Sequence, residues 1–305
     1  MNGNRVTLTL LASAVALSLA ACGGSDKATE TTGGNAAPAA STEAPPASTA
    51  APASTEAGGV SAACASAAAP TKTAGTLTVG TDKPGYPPYI QDDDPTNGKG
   101  FESAVAYAVA ARLGFAKDQV KWTVVPFNSS YAPGPKEFDF DINQIGINPD
   151  RQSAVDFSDP YYTTPQSVVV LKGSKIESAA TLADVIAAKI GVQVGTTTLD
   201  ALKALNVTPE VFDDTAAATA ALKNGQIDGL AVDLPTGIYL RDAELTDAKI
   251  VGTFGKGEDW GLLAEKGSTL VPCLNEAIAA MTADGSLASI TQEWMGASVN
   301  APELK

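Results

Sequence analysis

From Thr76 onward, short β-forming runs alternate with helical segments, and this alternation constrains the fold more than any other feature. "TLTVGT" (76–81) reads as a strand running into the loop "DKPGYPPYI". "FESAVAYAVAARLG" reads as a helix with Phe101, Ala104, Val105, Ala108, Val109 and Leu113 on one face, stopped by Gly114. "VKWTVVPF" is a strand, and a second runs from Phe138 to Ile147. "QSVVVLKG" has the unbroken apolar character of a strand buried on both faces. "TLADVIAA", "IGVQVG", "TTTLDALKAL", "EVFDD", "TAAATAALKNG" and "IDGLAVDLP" then give helix and strand in turn. After "KIVGTF" and "WGLLAEKG", two helices, "LVPCLNEAIAAMTADG" and "LASITQEWMG", follow. Regular βα alternation implies an α/β fold of mostly parallel sheets with helices on both faces.

Parallel sheets bind ligands at the carboxyl ends of their strands, where loops and helix N-termini gather. The residues there are Asp82 to Tyr89, Phe127 to Tyr131, Asn143 to Arg151, Gly195 to Thr197, and Asp233. An arginine, carboxylates, aromatic rings and backbone amides in such a set suit a small zwitterion. The chain has no histidine. This excludes His general bases, Ser-His and Cys-His nucleophiles and His-ligated zinc. Neither a cofactor nor a metal is expected.

The segment before this core has a different character. Residues 1–21 read as a secretory signal, with Arg5 ahead of an apolar run from Val6 to Ala21. Spanning a bilayer of roughly 30 Å takes about 20 apolar residues, so this run is too short to be a membrane helix. It ends in Leu19-Ala20-Ala21-Cys22, which resembles the bacterial lipobox and implies lipidation of Cys22. The alternative is an ordinary cleavage site beside a chance cysteine. Residues 22–74 are nearly all Ala, Pro, Ser, Thr and Gly, and read as a disordered tether with a coil dimension of roughly 40 Å. Of the 20 basic and 34 acidic residues, three and four precede Gly75, leaving 17 and 30 and a net charge of −13 for the core. That surface argues against nucleic-acid partners. With Cys22 lipidated, Cys64 and Cys273 remain as an even pair in an oxidising compartment. Either they form a disulfide pinning the tether's end to the helix of Cys273, or they are two unpaired thiols.

Six segments, in order, carry a resemblance across nearly all of residues 76–296. They are "VGTDKPGYPPYI", "GKGFESAVAYAVAARLG", "FDFDINQIGINPDRQSAVDFSDPYY", "IGVQVGTTTLDALK", "ALKNGQIDGLAVDLP" and "ADGSLASITQEWMG". In these the core resembles the extracellular solute-binding proteins of ABC importers for polar amino acids, which have the type II periplasmic-binding fold. The resemblance implies two lobes joined by two crossover hinge strands, 75–164 plus 260–305 and 165–259. It implies that Arg151 grips the ligand's α-carboxylate. A guanidinium matches a carboxylate bidentately, at roughly 1.5–3 kcal/mol net per charge-assisted bond. The alternative is a surface arginine pairing with Asp150 or Asp156.

By the same resemblance Asp233 takes the α-ammonium, against a helix-capping role before Pro235. Thr196 and Thr197 open a helix whose amides and hydroxyls also address the carboxylate. Tyr86 and Phe127 match aromatic walls, Phe127 being equally suited to core packing. Asp82 and Gln193 match positions that meet the ligand's side chain. Where relatives carry hydroxyls before the arginine, this chain has Asn143, Gln144, Gly146 and Asn148. Gly146 supplies no hydroxyl, and Gln144 either narrows the pocket or donates to the ligand. The polar set suggests a polar or cationic ligand side chain. The implied protein is a monomer, lipid-anchored on the extracytoplasmic face of the cell membrane. It closes on its amino acid and delivers it to a membrane permease driven by a separate ATPase; no "GxxxxGK[ST]" occurs here. Two other readings are a lipid-anchored amino-acid sensor without transport, and a dehydratase on the same scaffold using Glu102 or Asp82 as acid or base.

Overall fold

The computed structural model describes residues 59–296 and 301–305. The signal segment 1–21, Cys22 and the tether up to residue 58 lie outside the described residues. Eight strands form one open sheet in the order β2-β1-β3-β8-β4-β7-β5-β6. Toward one edge lie β1 (Leu77–Thr81), β2 (Val120–Val124) and β3 (Phe140–Asp141); toward the other lie β5 (Ile190–Gln193), β6 (Glu210–Phe212) and β7 (Gly229–Asp233). Pairing within each of these groups is parallel. Between them run two long antiparallel strands, β4 (Val155–Leu171) and β8 (Ala248–Glu265). The sequence suggested two separate runs inside β8. They join because the ladder with β4 continues, through register shifts, from Val155↔Glu265 to Leu171↔Ala248.

The helices are α1 (Phe101–Arg112), α2 (Phe127–Ser130), α3 (Pro149–Ala154), α4 (Leu182–Ile186), α5 (Thr197–Ala204), α6 (Thr215–Lys223), α7 (Leu234–Tyr239), α8 (Val271–Ala283) and α9 (Ser286–Met295). Apolar side chains gather in two regions. One joins β1, α1, α8 and α9 with Tyr161 and Trp260. The other, in two adjoining clusters, is built on β5, β7, α5, α6 and the parts of β4 and β8 around Val168–Val170 and Ile250–Phe254. Only β4 and β8 contribute to both regions, so each carries the chain between them.

The strand expected from Phe138 to Ile147 is far shorter. Only Phe140 and Asp141 ladder, and Gly146 adds a single bridge to Trp260. The break sits at Gln144, whose φ of 49° lies in the left-handed region. Its N–H donates to Glu102 Oε1 at 2.7 Å, and its Nε2 donates to Glu102 Oε2. A buried carboxylate thus satisfies backbone and side chain where a neighbouring strand would otherwise be needed.

Two segments depart from the sequence reading at their ends. Residues 59–74, assigned to the disordered tether by composition, carry packed structure. Val60 and Cys64 are buried in the first core region, Ser61 N–H donates to Glu276 Oε2 at 2.7 Å, and Cys64 is bonded to Cys273. Residues 301–305, grouped with the first lobe in the sequence, pack against the second region instead. Glu303 bridges to Thr253, Thr253 N–H donates to Pro302 O and Leu304 N–H to Thr253 O, both at 2.8 Å. Leu304 is buried in that core, and a Cβ on Gly252 would stand 2.6 Å from Leu304 Cγ, so only glycine admits the contact. Leu304→Ala is therefore expected to lower stability by about 2 kcal/mol, the low end for a buried leucine because so short a segment can yield locally. Urea unfolding, with hydrogen exchange read at Thr253, checks this.

Candidate functional site

The strand ends converge on a cavity of ≈ 370 Å³. The loop after β1 contributes Asp82 and Tyr86, α2 contributes Phe127, and the turn after β3 contributes Asn143 and Gln144. From the other side come Gln193 after β5, Thr196 and Thr197 at the start of α5, and Asp233 at the end of β7. Nine of the eleven binding residues expected from the sequence therefore line one cavity. Arg151 and Gly146 stand beside it, outside its lining.

Arg151 is positioned by α3, a helix absent from the sequence reading. Asn148 caps it, its Oδ1 accepting from Arg151 N–H at 2.8 Å, and Pro149 follows at the first turn, where its missing donor costs nothing. The guanidinium is buried. Its Nη1 donates to Gly146 O at 2.6 Å and its Nη2 to Gly195 O at 2.8 Å, joining a carbonyl before α3 to one before α5. It also lies over the rings of Tyr131 and Phe127, 4.6 and 5.5 Å from their centroids. Asp150 and Asp156 are not its partners: Asp156 pairs with Lys266 at 2.7 Å. Two of five guanidinium N–H donors go to those carbonyls, which leaves donors for an anion. Gly146 is a close-approach position: a Cβ there would come within 2.9 Å of both Glu258 Oε2 and Thr197 Cγ2.

Asp233 lines the cavity at the end of β7. Its Oδ1 accepts from Gln166 Nε2 at 3.0 Å, and it makes no capping bond to α7, although it precedes that helix. Its pKa lies well above the usual carboxylate range, first through burial and then through the charge of Glu258; the charge of Arg151 acts in the opposite sense. Thr196 does cap α5, accepting from Leu199 N–H at 3.1 Å. Asp82 gives one oxygen to Lys83 N–H at 2.7 Å and the other to Phe127 N–H at 3.0 Å, so it builds the pocket wall. Gln193 Oε1 accepts from Thr215 Oγ1 at 2.7 Å. Phe127 combines both expected roles, lining the cavity and packing on Tyr131 and a small core cluster.

Several lining residues escaped the sequence reading: Thr236, Asp213, Asp214 and Thr215. Tyr89 Oη and Thr236 Oγ1 are 2.9 Å apart across the cavity wall. Glu258, in β8, was also missed. The signal available for it was an acidic residue two positions before the buried Trp260, within a strand otherwise marked by glycines. Glu102, a possible acid or base in sequence, is fully buried and absent from the lining. Tyr161 Oη donates to it at 2.5 Å, and burial pushes its pKa up to about 7 against the pull of those hydrogen bonds.

Residues 77–297 match the family model described as bacterial extracellular solute-binding proteins, family 3. The L-cystine-binding protein TcyJ of Escherichia coli (strain K12) is 30% identical over 233 residues, covering 75% of this chain and 85% of that protein. The L-cystine-binding protein TcyA of Bacillus subtilis (strain 168) is 32% identical over 238 residues, with 75% and 84% covered. Among solved structures, an ancestral arginine-binding protein bound to arginine superposes with a TM-score of 0.62 at 33% identity, covering 73% of this chain and 99% of that one. Structural neighbours of this kind are type II periplasmic-binding proteins, and the open sheet with its two long antiparallel strands is their architecture. The chain belongs to the bacterial extracellular solute-binding proteins, family 3.

Proposed function

We propose that this protein is a lipid-anchored, extracytoplasmic receptor that binds an amino acid between two lobes and hands it to an ABC permease for import, without catalysing a reaction. In this reading the lobes are residues 75–164 with 260–296, and 165–259 with 301–305; β4 and β8 are the hinges. Arg151 and the N-terminus of α5, with Thr196 and Thr197, take the α-carboxylate, and Asp233 takes the α-ammonium. The observation that carries the reading is a cavity of ≈ 370 Å³ whose walls come from both core regions, with Asp233 in its lining and the buried guanidinium of Arg151 beside it. A zwitterion satisfies both charges only when the walls are close, so its binding energy favours the closed form. The lipobox-like Cys22 and the sequence after it support the anchor.

The carboxylates in the cavity lining favour a cationic ligand side chain. Asp82, Asp213 and Asp214 line the cavity, and the one base there, Lys83, is held by Asp93 at 3.2 Å. Arginine, the ligand in the name of one similar structure, ends in a positive charge; cystine, named for two relatives, ends in a second ammonium with a carboxylate beside it. A thermal-shift screen tests this. A ligand at 100 times its Kd adds about 2.7 kcal/mol. L-Arginine or L-cystine is expected to raise the melting temperature and L-glutamate to leave it unchanged; a shift with glutamate alone overturns the charge argument, and no shift with any amino acid overturns the receptor reading.

A further inference from the structure

Glu258, in a strand that runs through both core regions, stands beside the cavity: a Cβ on Gly146 would come within 2.9 Å of both its Oε2 and Cγ2 of Thr197, which lines the cavity. It sits in β8 where the ladder passes from Thr163↔Asp259 to Thr164↔Glu258. Its Oε1 accepts from Trp260 Nε1 at 2.9 Å, which orients the carboxylate. Its Oε2 is buried and has no hydrogen-bond partner. A buried carboxylate oxygen without a donor is costly, and such an atom beside a ligand cavity marks the position of a missing donor. Asp233, on the cavity wall, and Glu258 flank β4 on opposite sides: Gln166 pairs with Asp233 and Thr164, two residues earlier, pairs with Glu258.

We propose that Glu258 is a second carboxylate of the ammonium site: in the ligand-free protein it accepts a hydrogen bond from protonated Asp233, and the ligand's ammonium group replaces that proton. This rests on the amino-acid reading of the cavity. Two carboxylates this close in a partly dry site cannot both stay ionised without a cation between them, so a proton or an ammonium must fill the gap. The charged and titratable groups facing the pair are Arg151 from α3, Tyr162 from β4 and Tyr89 from the loop before α1. Arg151 donates to Gly146 O and Gly195 O and makes no hydrogen bond to Glu258 Oε2. The elevated proton affinity of Asp233 agrees with the same exchange. The ligand arrives as its ammonium form, Asp233 loses its proton to solvent, and two N–H bonds of the ammonium meet Asp233 and Glu258. Because Glu258 belongs to a crossover strand, the ammonium would then contact the hinge as well as the second region.

The sign of the pH dependence follows. Below the ligand-free pKa of Asp233 a proton competes with the ligand, so affinity rises with pH by up to tenfold per unit and levels off above it. Calorimetry with L-arginine and L-cystine, in buffers of different ionisation enthalpy, is expected to show up to one proton released per ligand by the wild type. Glu258→Gln, which keeps size and shape, is expected to weaken binding at least tenfold and to flatten the pH profile. A ligand-free measurement separates this from the receptor reading: carbon-13 NMR titration of the carboxyl groups is expected to show one that titrates high, is absent in Asp233→Asn and moves down in Glu258→Gln. Equal affinity and equal proton release in Glu258→Gln overturn the proposal. If neither amino acid binds the wild type, the exchange falls with the receptor reading, and the NMR titration still decides whether the two carboxyls share a hydrogen bond.

Discussion

Arg151→Ala is expected to weaken amino-acid binding at least a hundredfold while leaving the protein folded. The size follows from bidentate pairing: two charge-assisted bonds at roughly 1.5–3 kcal/mol each, with 1.4 kcal/mol per tenfold. The structural cost is smaller. Gly146 O and Gly195 O lose their guanidinium donors, and Tyr131 and Phe127 lose the cation stacked on them, but Gly195 is exposed and water can replace its donor. The variant also removes a buried charge, which returns part of the desolvation cost. Arg151→Lys separates the contributions. It keeps the positive charge but cannot address two acceptors and a carboxylate in one plane, so it is expected to fall between wild type and alanine. Calorimetry measures affinity, and thermal unfolding shows that the variants are compared as folded proteins. Micromolar binding retained by Arg151→Ala would remove Arg151 from the site.

The place of Arg151 beside the cavity was legible in sequence because it depends on local pattern: an arginine just past a strand end, within an ordered set of motifs. The residues around it were less so, for a physical reason. Arg151's position depends on Asn148 capping α3 and on a carbonyl 44 residues further along, at Gly195, that accepts from its Nη2. Gln144 looked like a pocket residue, and it is one, but its conformation is fixed by Glu102, 42 residues earlier. Asp82 lines the cavity, and what its sequence position does not show is that each of its oxygens accepts from a backbone amide, Lys83 or Phe127. Glu258 was missed because "GKGED" lies between "KIVGTF" and "WGLLAEKG", read as separate runs; pairing with β4 joins them into one strand and sets Glu258 opposite Thr164. The βα alternation fixes which residues reach the strand ends, whereas long-range hydrogen bonding decides which atoms of those residues are left for a ligand.

The second large effect concerns stability. Reducing the Cys64–Cys273 bond, or replacing both cysteines with alanine, is expected to lower unfolding free energy by about 2–5 kcal/mol and the melting temperature by roughly 5–15 °C. The two residues are 209 apart in sequence, and a loop of that size gives an entropic contribution of about 5 kcal/mol in the chain-entropy description, the upper bound here. Both cysteines are buried in the first core region, with Cα atoms 5.2 Å apart, so the bond joins positions that already pack together. Without it, residues 59–74 are held to α8 chiefly by burial of Val60 and the bonds from Ser61 to Glu276, at 2.7 and 3.1 Å. An exposed pair of this kind contributes little, so the segment should open locally before the rest unfolds. Neither cysteine lines the ligand cavity, and affinity is expected to change less than twofold. Urea denaturation of the oxidised and reduced protein gives the free energies, and hydrogen exchange across residues 59–76 reports the local opening. Coincident denaturation midpoints would mean that the segment's own contacts, and not the disulfide, hold it on α8.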